Sequence, residues 1–236
     1  MENNNLLNRF IEQLNTLVPF IGIAHEEVFD LVVKERYSWL PQNNESSFPG
    51  TFEIYRTQIL RSAFLLGYSY FEVFLSDLSR EIYTSNPRIL PIDKQIKFSE
   101  VFDAGSFDNL VDVMINKEIY TLFYQGVDKI AEYFSNKFRL TWPDEIKTKI
   151  VHASLVRNCI LHNMSRTDDR LARISSCQIG QEIQLSSSDI HEFGIYGRIL
   201  ARQLYNEASA RYLHSSIQMR TKQNRKPDLA VRRGAE

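Results

Sequence analysis

Cysteine is scarce: the chain of 236 residues has two, Cys159 and Cys177, and they share no Cys-x-x-Cys spacing. That excludes a disulfide framework and a sulfur-held zinc site, and it fits a reducing compartment. Neither sign of charge is in excess, since 28 Lys and Arg face 29 Asp and Glu for a net charge of -1. No global positive field therefore advertises a nucleic-acid partner, and any nucleic-acid contact would have to come from a local patch or from an oligomer's groove. Long hydrophobic runs are missing too. The stretch Val18-Pro19-Phe20-Ile21-Gly22-Ile23-Ala24 is among the most apolar, far short of the roughly 20 residues that span a bilayer. The opening MENNNLLNRF lacks the positive start and hydrophobic stretch of a secretory leader. These absences lead to the expectation of a soluble, cytoplasmic chain with no membrane partner.

What is present is helical periodicity. Hydrophobic residues at 43% and charged residues at 24% are the balance of a globular protein large enough for one good core. Leu6, Leu7, Phe10, Ile11, Leu14 and Leu17 recur at spacings of three and four before Pro19. A second stripe runs from Ile23 through Val28, Leu31 and Val32 towards Trp39, and Pro41 with the polar run to Pro49-Gly50 reads as a loop. A long helix is expected from about Phe52 to Tyr83, with Ile59, Ala63, Leu66, Tyr70, Val73, Phe74 and Leu78 buried. Gly67 in its middle suggests close approach of a neighbouring helix.

Helices are expected again between Phe98 and Leu140, with Ser106 capping the one that begins at Phe107. Thr141-Trp142-Pro143-Asp144-Glu145 reads as a helix start with Thr141 as cap, and that helix should reach about Met164. A short helix over Asp169 to Ile174 and a hairpin-like excursion near 177–185 around Gly180 follow. Ser188 and Asp189 are expected to open a last helix running through Leu213. The fold class is all-α: a helical bundle over 51–218, an N-terminal helical extension over 1–50, and a basic tail over 219–236.

One segment can carry chemistry: Arg157-Asn158-Cys159-Ile160-Leu161-His162. Asn158 and His162 lie one turn apart on one helix face, while Arg157 is rotated from His162 by about 140°. The three groups fan out, so one chain holds an incomplete site, and two copies about a two-fold axis would complete it. Histidine can move a proton near neutral pH. Arginine supplies a permanent forked charge for phosphate oxygens. Such groups suit phosphodiester cleavage without a metal, and no metal-ligand spacing or cofactor motif occurs in the sequence. His25-Glu26-Glu27 has no second histidine at the required offset and reads as a surface pair. From spacing alone, a purely structural polar triad at a helix end is an equally good reading.

The stretch Leu155 to Asn163 resembles the Arg-polar-x3-His motif of the HEPN superfamily, α-helical bundles that commonly dimerise and include many metal-independent endoribonucleases. The resemblance implies that Arg157, Asn158 and His162 are the catalytic set, in a cleft two protomers share. It implies RNA as substrate, and a toxin or phage-defence setting with a cognate antitoxin or defence partner. Tyr68-Ser69-Tyr70-Phe71-Glu72 is similar to the family's first core helix. Met164 stands where some family toxins carry a modifiable tyrosine, and the span 87–140 exceeds a minimal bundle. Glu72, as an orienting carboxylate, and Arg166, as a second phosphate contact, are supporting candidates, each with a surface role as its alternative. His152 on the same helix is taken as structural or exposed. The competing functional reading is a non-catalytic helical module that binds nucleotide or a partner protein.

Overall fold

The computed structural model describes residues 5–24, 51–91 and 95–213. The stripe from Val28 to Trp39, the loop before Gly50, the His25-Glu26-Glu27 pair and the basic tail lie outside the described residues. All named elements among the described residues are helical. Helix α1 (Leu6–Thr16) and α2 (Val18–Ala24) lead to the long α3 (Thr51–Ser85). Then come α4 (Phe98–Ala104), α5 (Phe107–Phe123), α6 (Val127–Asn136), α7 (Asp144–His162), α8 (Asp169–Ile174) and α9 (Ser187–Ala208), which runs into a π turn at Ser209–Leu213.

Helix α3, 35 residues long and so about 52 Å, is the axis on which the others pack. Its buried side is Leu60, Ala63, Phe64, Tyr68, Phe71, Phe74, Leu75, Leu78, Ile82 and Tyr83. Leu66 and Val73, expected inside, are exposed, and Ile59 and Tyr70 are half-buried. The helix is apolar around most of its circumference, so periodicity leaves its phase open, and the large aromatic rings take the core. At Gly67 an added Cβ would stand 3.2 Å from Leu17 Cδ1 and 3.6 Å from Phe193 Cε1. The expected close approach is thus made by α1's end on one flank and α9 on the other.

Helix α1 shares this core: Leu6, Phe10, Leu14 and Leu17 belong to the same buried cluster. Phe10 lies 5.1 Å from Phe74 and 6.1 Å from Phe71, ring to ring. Over 87–140, α5 and α6 close the far end of α3, where Tyr133 donates to the buried Glu118 carboxylate at 2.6 Å and meets the Tyr83 hydroxyl.

Several helix starts follow cap chemistry. Ser106 accepts from the Asn109 amide, as expected, and Asp168 accepts from Leu171. Two caps differ from the expectation. Helix α9 opens two residues earlier, on a Ser186–Asp189 capping box, because that pair satisfies two backbone donors at once. Helix α7 has Pro143 at its cap position, and the Thr141 amide instead donates to Glu207.

The excursion near 177–185 is extended but does not pair with itself. Met164 and Ser165 adopt left-handed φ values of 50° and 61°, which turn the chain back so that 165–167 becomes the partner. The single bridge joins Arg166 and Glu182, with Ile183 donating to Ser165 and Thr167 to Gln181. No helix among the described residues is long and apolar enough to cross a membrane.

Candidate functional site

Helix α7 buries Ile150, Ala153, Val156 and Cys159 at spacings of three, which rotates Arg157 and Asn158 to its flank. Arg157 leans onto α3. Its guanidinium donates to Asn158 Oδ1 at 2.9 Å and to Glu72 Oε2 at 3.3 Å, and its centre lies 5.7 Å from the Tyr68 ring. Three of the sequence-selected residues, Glu72, Arg157 and Asn158, are therefore in direct contact. Tyr68, one turn before Glu72, forms the aromatic floor of this cluster, and its signal was the four-residue spacing to Glu72 on one helix face.

Burial pushes the Tyr68 phenol up, against a hydrogen bond with Ser154 and the Arg157 charge. The hydroxyl thus stays protonated and acts as a fixture. Burial also raises Glu72, with Arg157 only partly opposing it. A carboxyl whose folded value is raised contributes stability below its unfolded value and loses it as pH rises through the folded one. Glu72→Gln should therefore gain stability relative to the wild type as pH climbs through the carboxylate range, measured by urea unfolding. A gain in the acid direction would overturn that assignment.

His162 is the last residue of α7 and is exposed at the helix's C-terminal end. It hydrogen-bonds to no side chain among the described residues, so Arg157 and Asn158 do not reach it within one chain. The turn after it is fixed: the Asn163 and Ser165 amides both donate to the Cys159 carbonyl at 3.0 Å, and Asn163 Nδ2 donates to Arg166 O at 2.7 Å. Two left-handed non-glycine residues cost on the order of 1–2 kcal/mol each. Arg166 spends one guanidinium nitrogen on the Gly180 carbonyl at 2.9 Å, so it anchors the excursion and stands apart from the Arg157 cluster. His152 is half-buried, and burial lowers its pKa.

Chemically, the site offers a held guanidinium, a carboxamide and a free imidazole on one helix end. Among the described residues no three His, Cys, Asp or Glu side chains gather as a metal would require. Compared with models of protein families, with curated proteins and with solved structures, the chain finds no match.

Proposed function

We propose that the chain is a metal-independent endoribonuclease of the HEPN type, cutting RNA at a site that two protomers share. The observation that carries this is the Arg157 fork, fixed by Glu72 and Asn158 on the helix that ends in an exposed His162. In the reaction an imidazole takes the proton of a ribose 2′-hydroxyl, whose oxygen attacks the adjacent phosphorus. The 5′-oxygen leaves with a proton, giving a 2′,3′-cyclic phosphate and a 5′-hydroxyl. Arg157 and Asn158 stabilise the charge that builds on the non-bridging oxygens.

Attack and departure lie on opposite sides of the phosphorus, so one histidine serves poorly as both base and acid, and a second copy supplies the other. Exposed apolar side chains suit that contact: Val73 beside Glu72, Leu161 beside His162, and Met164, which is 91% exposed. The setting consistent with such an activity is a toxin or phage-defence system, with an antitoxin or defence protein as partner. One observation favours the second reading, a non-catalytic module that binds nucleotide or protein: the Arg157 fork already has intramolecular partners. Dilution separates the two. Cleavage of single-stranded RNA in EDTA should fall more steeply than in proportion to chain concentration once the dimer dissociates, whereas the second reading gives no cleavage at any concentration.

A further inference from the structure

A cavity of about 820 Å³, with Arg157 outside its lining, is bounded by α7, α8, the 181–185 segment of the excursion and the start of α9. That size is in the range of sites for small organic ligands. Phe64, Val156, Leu171, Ile183 and Phe193 give it an apolar interior. Its charged groups are mostly committed elsewhere: Lys149 to Glu192 at 2.8 Å, Glu182 to Arg61 at 2.9 Å, and Asp189 to the Ser186 cap. Asp144 and Lys147, one turn apart at the rim, are of opposite sign. A charged ligand would therefore meet counter-charges only at the rim and would lose its hydration in the apolar interior, whereas an uncharged one loses little.

Hydrogen-bonding capacity remains at His152 and Gln181. The Oε1 of Gln181 accepts from the Gln178 amide, leaving its amide protons for an occupant. His152, facing Lys149 on its own helix and Asp189 and Glu192 on α9, is held towards its neutral form by burial. Neutral imidazole offers one donor and one acceptor.

We propose that this cavity binds an uncharged aromatic molecule, its ring body against Phe64, Val156 and Phe193 and its hydrogen-bonding edge at His152 and Gln181. The site is independent of RNA cleavage, and it has a mechanical link to the α7 terminus. Its 181–185 wall is tied to the turn after His162 by Ile183 N to Ser165 O at 2.8 Å and Thr167 N to Gln181 O at 2.9 Å. An occupant should steady those bonds.

The test uses the full chain and N-phenyl-1-naphthylamine, an uncharged aromatic amine that fluoresces when buried. The expected result is saturable, micromolar binding at one molecule per chain, with slowed hydrogen exchange at the Thr167 and Ile183 amides. The anionic 8-anilinonaphthalene-1-sulfonate should bind at least about tenfold more weakly, the cost of an unpaired charge. Ile174→Arg, at the mouth where that side chain is 51% exposed, should weaken the amine about tenfold without unfolding the chain. Ala153→Leu, which fills the interior, should abolish binding, and where it fails to fold the Ile174 variant decides. No saturable binding, unchanged affinity in Ile174→Arg, or tighter binding of the anion would overturn the proposal.

Discussion

Replacing His162 by alanine is expected to lower RNA cleavage by about 10²–10⁴-fold, the usual worth of a positioned acid–base group. Stability should barely change. The side chain is exposed and hydrogen-bonds to no side chain among the described residues, so its removal costs no more than about 0.5 kcal/mol. That asymmetry makes the variant informative: a structural histidine would show the reverse, lost stability with retained activity. His162→Ala that melts with the wild type and still cleaves at the wild-type rate would remove the residue from the reaction. Because the proposed site is shared by two protomers, the comparison needs the same oligomeric state in both proteins.

The largest effect on the fold is expected at Phe71. It is fully buried on α3, next to Glu72, and its ring meets those of Phe10, Tyr68, Trp142 and Phe193 at 6.1, 6.5, 6.5 and 6.3 Å. These four rings come from α1, α3, the approach to α7 and α9, so one side chain joins most of the core. Phe71→Ala should cost about 3–5 kcal/mol, a large share of the 5–15 kcal/mol typical of a domain, and lower the melting temperature by roughly 10 °C or more. Because Glu72 follows directly, the Arg157 contact should loosen too, giving a fall in activity even well below the melting temperature. A loss under about 1 kcal/mol would mean that α1 and α9 do not pack on α3 as described.

The helices were legible because their signals are local. Ser106 and the Asp144-Glu145 pair mark helix starts through nearby backbone donors and the helix dipole, which need no knowledge of tertiary contacts. The phase of α3 was legible only in part: Ala63, Phe74 and Leu78 are buried as expected, but Leu66 and Val73 satisfy helical spacing as well as Phe64 and Phe71 do, and only packing chooses between them. The excursion misled for a related reason: its alternating residues announce extended backbone, while the partner depends on the left-handed pair Met164 and Ser165. The offset of Arg157 from His162 could be worked out from 100° per residue. Its anchoring by Glu72, 85 positions earlier, could be suspected but not placed. The cavity beside α7 gave no sequence signal, since its lining comes from separate elements and reads as ordinary core.

The central claim is that the imidazole and guanidinium on the end of α7 cleave RNA through the ribose 2′-hydroxyl. Its most direct test offers the full chain two strands of one sequence in EDTA, one of RNA and one fully 2′-O-methylated, and identifies the product ends by mass. Only the RNA should be cut, leaving a 2′,3′-cyclic phosphate and a 5′-hydroxyl. Cleavage of the methylated strand, or an RNA strand left whole by a chain shown to be dimeric, would contradict it.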